Sequence, residues 1–157
     1  MSTTTTGRNY TIKEAAALTG LPASTLRYYE SIGVIRPISR GASSKHRVYD
    51  EDDLDQLMWV ACLVATGMSV NDMRRYVANG VLGPSAAAHQ VELLAAQERR
   101  LALDAEHVAL RQRYVGLKIA YWKAIDAGET ARAEEIADKA RMLAGALKGT
   151  PKLGRHD

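Results

Sequence analysis

The chain has 157 residues, which suits one compact domain or a small domain carrying a helical extension. Hydrophobic residues reach 46 %, but with no Phe and only 6 % aromatics the core must come from Leu, Val, Ile, Met and Ala, which favours helices. Net charge is +3 and no run of about 18 apolar residues exists, which argues against a membrane span; the lone Cys62 excludes an intrachain disulfide.

The N-terminus, MSTTTTGRN, lacks the apolar centre of a secretory signal, so residues 1–8 are expected to be disordered and the protein cytoplasmic. Thr11-Ile12-Lys13-Glu14 is a capping box and opens a short helix that Gly20 stops. Leu21-Pro22 restarts the chain, and a second helix runs from Ala23 to Ile32, closed by Gly33. Two short helices joined through a glycine turn form the helix-turn-helix pattern. Val34-Ile35 and Arg47-Val48-Tyr49 have strand character around a small polar loop, Ser39 to Lys45, which predicts a hairpin "wing" with a basic tip. Asp50 caps a third helix reaching Thr66, and Ser69 caps a fourth that ends near Gly80.

Charge along this stretch is uneven. Residues 8–49 hold seven Lys or Arg against Glu14 and Glu30, an excess of +5, and residues 50–55 then hold five acids. A local positive excess points to a polyanion-binding face. In the second helix Leu26, Tyr29 and Ile32 share one face, while Ser24, Arg27, Tyr28 and Ser31 share the other. Tyr29 is therefore expected to pack inward, with Arg27 and Tyr28 facing out. An arginine fork fits guanine or phosphate oxygens, and a tyrosine hydroxyl fits phosphate. The bland alternative pairs Arg27 with Glu30 or Glu14 and lays both rings on the core.

Residues 81–85 read as a linker. A long helix over 86–125 follows, in which Leu94, Leu101, Val108, Val115 and Trp122 recur every seven residues, the seam of a coiled coil. A second row, Leu103, Leu110 and Leu117, lies on another face, so the helix is expected to bury two sides, one against a partner and one against its own chain. About 40 residues at 1.5 Å each span roughly 60 Å, long for so small a globule. A last helix over 129–148 places Ile136, Ala140, Leu143 and Leu147 on one face, and 149–157 read as a disordered tail. No nucleotide loop, esterase elbow or zinc-ligand spacing is present, so neither an enzyme nor a metal or other cofactor is expected.

The stretch YTIKEAAALTGLPASTLRYYESIGVIRP, followed by HRVYDEDDLDQLMWVACLVATGMSVNDMRRYV, resembles the MerR family of bacterial transcription regulators over residues 9–80. The resemblance implies a mainly α protein: a winged helix-turn-helix DNA-binding domain, then a long dimerisation helix that forms an antiparallel coiled coil, then a short C-terminal helix. It implies a homodimer on double-stranded DNA that binds a palindromic operator inside a promoter and distorts it for RNA polymerase. By motif position Thr11 opens the first helix near phosphate, Arg27 and Tyr28 are recognition-helix contacts, Tyr29 touches the backbone, and Arg47 and Tyr49 belong to the wing. With Ser24 and the basic Arg36, Arg40, Lys45 and His46, these make up the candidate DNA-binding set. His46 stands where many members have an aromatic residue, and Val64 lies where a basic one is common.

The segments CLVATGMSV and KIAYW are similar to the NmlR/AdhR-like branch that responds to aldehydes and thiol-reactive stress. Cys62 is then the candidate sensor for a small electrophile; among apolar neighbours it reads equally as a small buried core residue with little thiolate. Tyr114, Tyr121 and Trp122 could line an effector pocket or serve as interface packing. The competing readings are an architectural DNA-bending protein of excisionase type, without a small-molecule response, and a helical protein-interaction module.

Overall fold

A computed structural model describes residues 7–152; the expected disorder at 1–6 and 153–157 lies outside the described residues. The described residues form six α-helices: α1 Ile12–Thr19, α2 Ala23–Ser31, α3 Glu51–Ala65, α4 Val70–Leu82, α5 Ala87–Asp126 and α6 Thr130–Lys148, with a 3-10 turn, Gly83–Ala86, before α5. Among the described residues no strand forms. Contacts divide the chain into one compact unit ending at Leu94 and a second beginning at Ala95. No described helix is long and apolar enough to cross a membrane.

Capping chemistry explains the first unit's helices. The Thr11 hydroxyl accepts the Glu14 amide at 3.2 Å, while the Glu14 carboxylate lies 3.9 Å from Arg8. Gly20 (φ 74°) and Gly33 (φ 79°) take the left-handed conformation that stops a helix. α3 has a full capping box: Asp50 accepts the Asp53 amide at 2.7 Å, and Asp53 accepts the Asp50 amide at 3.0 Å. Ser69 caps α4 through the Asp72 amide. Gln90 donates to the Tyr76 carbonyl and accepts from Asn79, which fastens the start of α5 to α4.

The core of this unit gathers Leu26 and Tyr29 of α2, the Leu54, Leu57 and Val60 row of α3, and Val34, Ile35, Ile38, Tyr49, Met68 and Met73. The expected hairpin is reduced to two isolated antiparallel bridges, Arg40 with Arg47 and Tyr10 with Tyr49. Val34 and Ile35 form no strand because both amides turn back to the Tyr29 carbonyl at the end of α2. The wing is a loop closed by Gly41 donating to the His46 carbonyl and Val48 donating to that of Ser39. Cys62 is exposed, so the reading of it as a buried core residue is corrected. The buried row of α3 ends at Val60, and two further residues carry the chain about 200° around the helix.

In the second unit α5 turns into α6 through Gly128 (φ 71°), with the Glu129 amide donating to the Ala124 carbonyl. Ala124, Ala133 and Ile136 form a small core with Leu117, Ala120 and Tyr121 packed on it. Of the second α5 row, Leu117 joins this core, whereas Leu103 is exposed. Beyond α6, Thr150 donates to the Leu147 carbonyl and Pro151 accepts from Arg111.

Asp53 is buried and also receives the Arg36 Nε at 2.9 Å. Asp53→Ala removes a cap and a charged hydrogen bond together, and should lower unfolding free energy by about 2–3 kcal/mol in urea titrations. Asp52→Ala, at an exposed neighbour, should stay within about 0.5 kcal/mol of wild type.

Candidate nucleic-acid interface

α2 separates its residues by helical geometry. Ser24, Arg27 and Tyr28 are exposed, whereas Tyr29 is buried in the core. The Tyr28 and Tyr29 ring centroids lie 6.1 Å apart at 43°, so the second ring supports the first from inside. Tyr29 thus packs as helical spacing predicts, and does not share the outward face that its place in the motif suggested.

The basic residues sort into two groups. Arg47 gives its Nε–H to Glu30 at 2.6 Å, with both side chains largely buried. Arg36 bonds Asp53 at 2.9 Å and lies 3.6 Å from Asp50, and these acids raise its pKa further. Both arginines tie the wing segment to helices; Arg47 is mostly covered by its pair, whereas the Arg36 side chain stays about 48 % exposed. Arg27, Arg40, Lys45 and His46 remain exposed. Arg27 makes no ion pair among the described residues, since Glu30 is taken by Arg47 and Glu14 approaches Arg8. At the wing tip Arg40 donates to the Lys45 carbonyl, and Lys45 holds a left-handed φ of 58°. Thr11 is exposed, with its hydroxyl engaged at the α1 cap.

Tyr49 departs furthest from expectation. Its side chain is wholly buried, and the hydroxyl has no hydrogen-bond partner among the described residues. Burial raises its pKa, opposed by the nearby Arg47 charge. Its backbone exchanges both hydrogen bonds with Tyr10, so it anchors the wing's return to the chain ahead of α1. Tyr49 is a core residue and not part of the exposed face. Sequence reading also missed Glu30 and Asp53, which organise this region. One signal was available: Glu30 is the only acid between Glu14 and Asp50, so a base nearby was bound to claim it.

What remains outside is a helix face bearing an arginine fork and a phenol, beside a loop bearing Arg40, Lys45 and His46. Such a surface can grip phosphates and read base edges. Fold and face together define a helix-turn-helix module with a basic wing loop. Residues 10–80 match the family described as "MerR HTH family regulatory protein". It is 38 % identical over 73 residues to the HTH-type transcriptional regulator YyaN of Bacillus subtilis, covering 46 % of this chain and 52 % of that one. It is 33 % identical over 90 residues to AdhR of the same organism, covering 57 % and 64 %. The chain thus spans between half and two-thirds of these relatives. The fold superposes on the crystal structure of HiNmlR, described as a MerR family regulator lacking the sensor domain, bound to promoter DNA. There the TM-score is 0.65 at 23 % identity, over 82 % of this chain and 96 % of that one. These relatives are all transcription regulators and none is an enzyme.

Burial alone would raise the Glu30 carboxyl, but bonds from Arg47 and the Ile38 amide, with the Arg47 and Arg40 charges, hold it below the ordinary value. A lowered folded-state pKa gives stability that is full above the unfolded value of about 4.3 and lost as pH falls through the lowered one. Glu30→Gln should therefore destabilise by about 1–3 kcal/mol at neutral pH. In melts across an acid series the gap to wild type should close as pH drops below about 4. A gap that stays constant through that range would refute the pairing.

Proposed function

We propose that the protein is a dimeric DNA-binding transcription regulator of the cytoplasm. The observation that carries this is the uncommitted Arg27 beside the exposed Tyr28 on α2, in a segment whose acids are engaged elsewhere. In this reading α2 enters the major groove with Arg27 reading base edges, and Ser24, Tyr28 and Thr11 meet the backbone. Arg40, Lys45 and His46 of the wing loop flank the groove, while Arg36 and Arg47 hold the wing in place. Residues 9–80 form the DNA-binding part, 81–85 connect it, and 86–125 pair two chains. Leu94, Leu101, Val108, Val115 and Trp122 are 41–64 % exposed in the single chain, an apolar row that an antiparallel coiled coil with a second copy would cover. Two recognition helices related by a twofold axis call for a palindromic operator. Its distortion within a promoter would let RNA polymerase engage.

A nuclease footprint on the DNA upstream of the protein's own gene should show symmetric protection with a hypersensitive centre. Arg27→Ala should weaken operator binding by about 1–3 kcal/mol and relax sequence preference. Unchanged affinity and selectivity would remove α2 as the reading element. Protection spreading without symmetry would favour an architectural DNA-bending protein.

Cys62 is the candidate sensor in this reading. Its thiol is exposed on α3, within reach of a small electrophile such as an aldehyde. Cys62→Ser should bind operator as wild type does and lose an aldehyde response in a promoter–reporter assay. A retained response would eliminate the thiol as sensor.

A further inference from the structure

Within the second unit, α5 and α6 leave a cavity of about 320 Å³ between them. Tyr114, Leu117, Lys118 and Tyr121 reach it from α5 at spacings of three and four, so they share one helix face. Ala137, Ala140 and Ala144 reach it from α6. The void follows from that match of sizes: phenol rings stand on one wall, and methyl groups face them where longer side chains would have filled the gap. Ile136, buried with Ala124 and Ala133, lines one end.

The polar lining is one-signed. Among the described residues Lys118 and Arg141 are the charged groups on the cavity, and no carboxylate lines it. The Lys118 ammonium lies 5.5 Å from the Tyr114 ring centroid, at the mouth of the aromatic wall. Arg141 bonds Asp138, and both side chains are about two-thirds exposed, so this ion pair is weak and exchangeable. An incoming carboxylate offers the guanidinium fork the same planar geometry from inside the cavity.

We infer that this cavity is a binding site for a small aromatic monocarboxylate. One or two fused rings lie between the tyrosine wall and the alanine wall, and the carboxylate meets Lys118 and Arg141. The volume is at the lower end for ligand sites, about 300–1,000 Å³, which suits a molecule of this size. An inorganic anion would leave the apolar walls bare, and an aromatic cation would face two like charges. Occupancy of this site does not depend on the DNA-binding reading, because every group that forms it belongs to α5 and α6.

The test is calorimetric titration of the full chain with naphthalene-2-carboxylate. The controls are 2-naphthylmethylamine, of the same shape and opposite charge, and inorganic phosphate. Naphthalene-2-carboxylate should saturate one site per chain, and neither control should displace it. Lys118→Gln, at an exposed position, should weaken binding about tenfold, the loss of one charged contact. Ala144→Leu should fill the cavity and abolish saturation. Circular dichroism of each variant checks that the helices persist, and if Ala144→Leu does not fold, Lys118→Gln carries the test. No saturable heat up to about 1 mM, equal binding of the amine, or full affinity in Lys118→Gln would each overturn the assignment.

Discussion

The contact on which the exposed basic face depends is the ion pair of Glu30 and Arg47. One carboxylate in the last turn of α2 receives the Arg47 Nε at 2.6 Å and the Ile38 amide at 3.2 Å. It therefore grips both the chain leaving α2 and the chain returning from the wing loop. With Glu30 occupied, Arg27 one turn earlier pairs with no acid among the described residues. A part-buried charge pair is screened less than an exposed one, and removing either partner would leave the other without its counter-charge. Helix and wing loop thus hold a fixed relation without a sheet, which the two isolated bridges are too few to supply.

The second tie works by the same logic one layer away. Asp53 completes the α3 capping box and holds Arg36, so the start of α3 is joined to the segment entering the wing. Five of the six residues at 50–55 are acids, the first of them the expected cap of α3. Two of them take part in a network that also fixes an arginine. Charge counting could not anticipate this, because pairings across 17 positions depend on where the backbone turns.

Much of the helical order was legible because its signals are local. Thr11, Asp50 and Ser69 cap the helices they were expected to cap, and Gly20, Gly33 and Gly128 end elements at left-handed turns. Tyr29 followed from spacing alone. The wing was less legible, since its strand-like residues bend back to α2 through their amides. Alternation held a clue: Arg47 and Tyr49 lie two apart and so point the same way in extended chain. A wholly buried Tyr49 implies that Arg47 also turns toward the protein, as its bond to Glu30 shows. The exposure of Cys62 was likewise readable from its angular offset to Leu54, Leu57 and Val60, although its apolar neighbours suggested burial.

α5 carries two apolar faces with different fates. Leu117, Ala120 and Tyr121 pack against α6, while Val115, Ile119 and Trp122 stay exposed. Lys118 stands on the border, because it lines the recess beside the exposed row as well as the cavity toward α6. The Tyr121 and Trp122 rings meet edge to face at 5.2 Å across the same border. A carboxylate that drew Lys118 inward would remove a flexible cation from the edge of the apolar row. It would also press on a ring in contact with that row's last residue. The proposed pairing surface and the proposed ligand site therefore share Lys118 and meet at the Tyr121–Trp122 ring contact of one helix.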